Sequence, residues 1–216
     1  MSDYDTLRRW MVDEQLERRG ISDPLVLDAM ASVPREAFVP PELRAEAYAD
    51  GPLPIGESQT ISQPFIVALM IEALELTGGE RVLEVGGGSG YAAAVLARIA
   101  EEVYSVERHR SLADQAAARL RELGVENVEV ICADGTRGWP ERAPYDAIVV
   151  AAGAPVVPRP LEEQLAVGGR LVIPVGGVRT VQELLRVTRI SETEYRREKL
   201  TDVRFVPLVG EQGWEW

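Results

Sequence analysis

Over residues 81–176, short apolar runs alternate with helical segments, and this alternation constrains the fold more than any other feature of the chain. RVLEVG (81–86), EVYSVE (102–107), VEVICAD (128–134), YDAIVVAAG (145–153) and RLVIPVG (170–176) have the length and β-branched content of buried strands. SGYAAAVLARIA (89–100), RSLADQAAARLRELG (110–124) and PLEEQLAVGG (160–169) carry apolar residues at helical spacing. Strands separated by helices run parallel, because each helix returns the chain to the same end of the sheet, and such helices cover both faces. The expected fold is α/β: a Rossmann-like, doubly wound, mostly parallel sheet.

Upstream, Leu7, Trp10, Met11 and Leu16 predict an amphipathic helix stopped by Gly20. A second helix starts with Asp23 as cap and Pro24 in the first turn, and ends before Pro34. Pro40, Pro41, Pro52 and Pro54 leave 38–56 as mainly irregular covering structure, and FIVALMIEALEL (65–76) reads as a buried helix. After Gly177, ELLRVTRI (183–190) and VRFVPLVG (203–210) predict a late antiparallel strand pair joined by the charged stretch SETEYRREK. With 216 residues, 46% of them hydrophobic, a single domain is expected. The expected division is a helical, covering N-terminal region over 1–78 and a Rossmann-like core over 79–216.

A net charge of −12 argues against nucleic acid and anionic membranes as partners. The one cysteine, Cys132, permits no internal disulfide and reads as core; the one histidine, His109, reads as a surface residue. Together they leave little for a transition-metal site, so no metal is expected. No apolar run approaches a membrane span of about 20 residues. The charged start is unlike a signal peptide, so a cytoplasmic protein is expected; oligomeric state is left open.

Chemistry concentrates in LEVGGGSGY (83–91). Gly86, Gly88 and Gly90 lie at a strand-to-helix turn, where glycine allows unusual backbone angles and close ligand approach, and a helix start offers unpaired N–H groups. The spacing is G-x-G-x-G, not the dinucleotide fingerprint G-x-G-x-x-G, which favours a smaller nucleoside. Glu107 ends the next strand, placed to accept hydrogen bonds from two ribose hydroxyls. Asp134 ends the third, placed to accept from an exocyclic amine while Gly135 leaves room for a ring. QTISQP (59–64) sets two hydroxyls and two amides ahead of a helix, where Ser62 also suits a helix cap.

LEVGGGSGY, SVE (105–107), CADG (132–135), APYDAIVV (143–150) and GGRLVIPVG (168–176) resemble the class I S-adenosylmethionine-dependent methyltransferases. VPREAFVP (33–40), QTISQP and RFVPLVG (204–210) resemble, more narrowly, the protein-L-isoaspartate O-methyltransferase family. The resemblance implies S-adenosylmethionine as methyl donor and the free carboxylate of L-isoaspartyl residues in damaged proteins or peptides as acceptor. It implies Glu84, Gly86, Gly88, Ser89, Gly90, Glu107, Asp134 and Gly135 as donor-binding residues and Ser62 as the catalytic-site serine. Thr60, Ile61, Gln63 and Val206 are its substrate-binding residues. The sequence departs from the commoner family form at Gly87, where threonine is often found. Two other readings stand beside this one: a carboxylate methyltransferase for one specialised peptide, and a noncatalytic nucleoside-binding protein.

Overall fold

The computed structural model describes residues 3–178 and 180–215. Its centre is a seven-stranded sheet of β3 (Arg81–Val85), β4 (Glu102–Glu107), β5 (Val128–Cys132), β6 (Tyr145–Val150), β7 (Leu165–Val175), β8 (Gln182–Arg189) and β9 (Tyr195–Val203), ordered β5-β4-β3-β6-β7-β8-β9. The first five in that order pair in parallel, and β8 and β9 complete the sheet antiparallel.

Side-chain alternation divides the core into two layers. Val82, Val103, Ala147 and Val172 pack with α2 (Pro24–Ser32), α3 (Pro64–Glu72) and α4 (Tyr91–Leu96). Leu83, Tyr104, Ile148 and Leu171 point the other way, towards Leu161 of α6 (Arg159–Glu163). The doubly wound expectation agrees with this arrangement.

At the N-terminus α1 (Asp3–Trp10) continues through wider and tighter helical turns to Gly20, whose φ of 102° ends it. Met11 and Leu16 are buried, but Leu7 and Trp10 are exposed, so the apolar face is narrower than the sequence suggests. Asp23 caps α2 by accepting from the Leu25 N–H at 2.8 Å, as expected.

Four segments depart from expectation. The irregular reading of 38–56 fails at its end: Leu53–Gly56 is strand β1, antiparallel to β2 (Gln59–Ile61) around a turn in which Glu57 and Ser58 are left-handed. The helix expected over 160–169 shrinks to α6, because from Leu165 the chain already pairs with β6. From Tyr195 the charged connector is strand β9, solvated because it edges the sheet, and 203–210 is mostly irregular. Cys132 is only half-buried, since β5 is the opposite edge.

Ile148 is fully buried on a central strand, so Ile148→Ala should cost about 2–5 kcal/mol in urea denaturation. Ile190→Ala, at a 42% exposed position, should stay within about 0.5 kcal/mol.

Candidate active site

The carboxyl ends of β3, β4 and β6 open into a cavity of about 450 Å³, roofed by the β1–β2 hairpin and walled by α3 and by 206–209. That volume is ordinary for a small-molecule site, usually about 300–1,000 Å³. Met70, Ile71 and Val149 make much of the wall apolar.

Gly86, Gly88, Ser89, Glu84, Glu107 and Gly135 all line this cavity. Gly86 and Gly88 have φ of 88° and 52°, which glycine adopts without strain, and a Cβ on Gly88 would lie 3.2 Å from Ile55 of the hairpin. Glu107 accepts from the Gly88 N–H at 2.9 Å and from the His109 N–H at 2.8 Å. It therefore fixes the glycine turn and retains lone pairs for ligand hydroxyls. A Cβ on Gly135 would lie 2.6 Å from Val85, so this strand end accepts only glycine without rearrangement.

Two expected residues stand back from the cavity. Gly90 does not line it; it adopts φ 88° at the start of α4, against Ala116. The free helix-start donors expected there are also absent at two positions, since the Gly90 N–H donates to Gly87 O and the Tyr91 N–H to Ser89 Oγ. Asp134 does not line the cavity either. Its carboxylate accepts from the Thr136 hydroxyl at 2.7 Å, the Thr136 N–H at 2.9 Å and the Glu211 N–H at 2.8 Å. Burial alone would raise its pKa, but these bonds hold it below the ordinary value. Asp134 thus ties the C-terminal segment to the end of β5 from outside the cavity wall.

Glu84 is 1% exposed, and its Oε2 accepts from the Ser105 hydroxyl at 2.5 Å while Oε1 has no hydrogen-bond partner among the described residues. Burial pushes its pKa up to about 7. The Ser105 bond opposes that rise, Glu107 adds to it, and the Ala93 N–H pulls down without reaching hydrogen-bond geometry. A buried carboxylate with a bare oxygen on a cavity wall suits a cationic ligand group. Gly87 serves this arrangement, because a Cβ there would lie 2.3 Å from Ser105 Oγ.

A second cavity, of about 470 Å³, abuts the first along Thr60, Ser62, Ala151 and Val206, which line both. Neither the Thr60 nor the Ser62 hydroxyl has a hydrogen-bond partner among the described residues. The helix-cap role for Ser62 is not realised: Gln63 occupies the cap position of α3, without a side-chain cap bond. Ile61 lines the first cavity only, and Gln63 the second, where its amide donates to Asp50 at 2.7 Å.

Sequence reasoning missed His109 and Glu57. His109 lines the first cavity with a buried Nε2 that has no hydrogen-bond partner among the described residues, and its Nδ1 lies 3.8 Å from Glu57 on the hairpin turn. Glu57 also accepts from the Ser111 hydroxyl at 2.6 Å, tying the roof to the start of α5 (Arg110–Glu122). Position beside Glu107 was the only available signal for His109.

A nucleoside-sized cavity at the strand ends of a doubly wound sheet, joined to an open groove, is the layout of a Rossmann-like ligand-binding protein. A family model described as Protein-L-isoaspartate(D-aspartate) O-methyltransferase (PCMT) matches residues 8–213, and the chain belongs to this family. It is 63% identical over 207 residues to Protein-L-isoaspartate O-methyltransferase 1 of Rhodopseudomonas palustris (strain HaA2), covering 96% of this chain and 84% of the relative. Over 212 residues it is 62% identical to Protein-L-isoaspartate O-methyltransferase 2 of Marinobacter nauticus, covering 98% and 97%. A solved protein-L-isoaspartate O-methyltransferase superposes with TM-score 0.85 at 33% identity, over 95% of this chain and 67% of that one. Another solved structure, from Plasmodium falciparum, is described as a beta-aspartate methyltransferase in complex with S-adenosyl-L-homocysteine. It superposes with TM-score 0.81 at 28% identity, over 97% and 99%. The family uses S-adenosylmethionine, and the bare Glu84 oxygen, the glycine turn and Glu107 fit that donor's ammonium and ribose.

Since a carboxylate of pKa about 7 ionises as pH rises through 7, affinity for S-adenosylhomocysteine should rise about fivefold to tenfold from pH 6 to 7.5. Calorimetry on Glu84→Gln should show a flat profile. Gly87→Ala should displace the Ser105 hydroxyl and cost about 1–3 kcal/mol of stability through the stranded carboxylate. In a Ser105→Ala background, denaturant titration should find that cost markedly smaller.

Proposed function

We propose that this protein transfers a methyl group from S-adenosylmethionine to the free carboxylate of L-isoaspartyl residues in damaged proteins and peptides, initiating their repair. Residues 79–216 carry the donor, residues 1–78 cover it, and both line the groove for the acceptor. The observation that carries this reading is the junction of the two cavities at two uncommitted hydroxyls, Thr60 and Ser62. A group in the first cavity and a chain in the groove meet only there.

When bound, the donor supplies a methyl group already activated on a sulfonium. The acceptor carboxylate is ionised at neutral pH, so the chain's residues need to position and desolvate, not to deprotonate. In this reading the Ser62 hydroxyl donates to one carboxylate oxygen and leaves the other facing the donor. Ser62 is not a nucleophile, because no histidine lines the junction to take its proton. Thr60 provides a second donor, Ile61 and Val206 exclude water, and Gln63 faces the extended backbone of the acceptor. The groove presents Phe205, Ile66 and Val181 beside few charged groups, which suits many acceptor sequences rather than one. A cytoplasmic setting accompanies this reading; no helix of the described residues is long and apolar enough to cross a membrane.

Matched peptides with isoaspartate or aspartate at one position, incubated with labelled S-adenosylmethionine, test the function. Base-labile label should appear on the isoaspartyl peptide alone; label on both or neither would refute the assignment. Ser62→Ala should lower kcat/KM by about 10–100-fold, the worth of about 1.5–3 kcal/mol for a hydrogen bond to a charged group.

A further inference from the structure

VPREAFVP has no role in the chemistry described so far, yet its arginine is the largest fully buried side chain of the protein. Arg35 is 0% exposed. Its Nε donates to Ala47 O at 2.7 Å and its Nη2 to Ser62 O at 2.8 Å, while Nη1 is buried with no hydrogen-bond partner among the described residues. The guanidinium carbon lies 4.8 Å from the centre of the Tyr91 ring. Burial raises the Tyr91 pKa against the pull of Arg35, so this neighbour is a neutral phenol. The adjacent Glu36 carboxylate is committed to Arg8 and the Tyr48 hydroxyl. Among the described residues no carboxylate pairs with Arg35.

A fully buried cation without a counter-ion is costly, and chains normally pair such charges. Here the charge is bonded to the peptide carbonyl of Ser62, whose side chain stands at the junction of the two cavities. We infer that Arg35 is a positioning residue for the acceptor: it fixes the Ser62 peptide, and its buried charge, behind Ser62 and outside the lining of both cavities, favours an anion at the junction. The inference rests on the methyl-transfer reading above. Methyl transfer forms a carbon–oxygen bond as the carbon–sulfur bond breaks, so the carboxylate's negative charge and the sulfonium's positive charge both disappear. A cation that favours the ionised acceptor therefore stabilises the bound ground state more than the transition state. Its loss should appear in KM and much less in kcat.

Arg35→Met keeps most of the volume without the charge, and Arg35→Lys keeps the charge with a single point of attachment. With a matched isoaspartyl peptide, Arg35→Met should raise KM at least about tenfold with kcat within about threefold, and Arg35→Lys should raise KM by less. The S-adenosylhomocysteine Kd should stay within about twofold of wild type in both, because Arg35 does not line the donor cavity. If Arg35→Met does not fold, Arg35→Lys decides: a raised KM with unchanged donor Kd supports the inference, and a wild-type KM overturns it. Equal KM values in two folded variants, or kcat and donor affinity falling in step with KM, would reduce Arg35 to a packing residue. Active wild type with unaffected variants removes this inference alone; wild type inactive on the peptide removes the functional reading and the inference with it.

Discussion

The parting of the chain at the carboxyl end of β3 is the constraint on which the site depends. From β3 the sheet continues through β4 and β5 on one side and through β6 and β7 on the other. The loops leaving β3 and β6 therefore diverge, and the gap between them cannot be filled by either crossover. One wall of the first cavity is built at these strand ends: Gly86 after β3, Glu107 at the end of β4, Gly135 beyond β5 and Ala151 after β6. The β1–β2 hairpin and the segment around Val206 then cover a gap that the topology had already made. Hydrogen bonds of Gly153 with Val206 O (2.7 Å) and of Leu208 with Gly153 O (2.8 Å) hold that segment down.

Two buried charges of opposite sign frame the reaction. Glu84 lies under the donor cavity with one oxygen bare, and Arg35 lies behind the junction with one nitrogen bare. Much of the surrounding wall is apolar, so each charge acts through a lower effective dielectric than at the surface. The arrangement matches the two charged partners of a methyl transfer to a carboxylate, a cationic donor and an anionic acceptor. In the free protein the Ser105 hydroxyl partly offsets the cost of burying Glu84, and two backbone carbonyls and the Tyr91 ring partly offset that of Arg35. Tyr91 connects the two halves: its ring lies against Arg35 and it also lines the donor cavity.

The central strands were legible because burial on both faces demands short continuous apolar runs, and a glycine ends most of them. Edge structure was not. β9 reads as a charged linker since its solvated face selects Arg, Glu and Lys, whereas 203–210 reads as a strand because Phe205, Val206 and Leu208 are apolar for a different reason, covering the crevice. The β1–β2 turn carries left-handed Glu57 and Ser58 after Gly56 at φ 97°, and two non-glycine residues in that conformation are not what a hairpin signal in sequence looks for. Within the site, strand-end position put Glu107 and Gly135 on the cavity wall, whereas Asp134 stands outside it, bonded to Thr136 and to Glu211, 77 residues away in sequence. Arg35 was visible only as part of a motif. Nothing local in VPREAFVP says that its guanidinium reaches Ala47 and Ser62.

The central claim is that donor and acceptor meet where Thr60 and Ser62 border both cavities. A crystal structure with S-adenosylhomocysteine and an isoaspartyl peptide bound together tests it most directly. The account predicts the nucleoside in the cavity beside Glu84 and Glu107, the peptide in the adjoining groove, and the isoaspartyl carboxylate within hydrogen-bonding distance of Ser62 Oγ, facing the sulfur. A peptide carboxylate bound elsewhere, with the Ser62 hydroxyl turned away from it, would contradict the account.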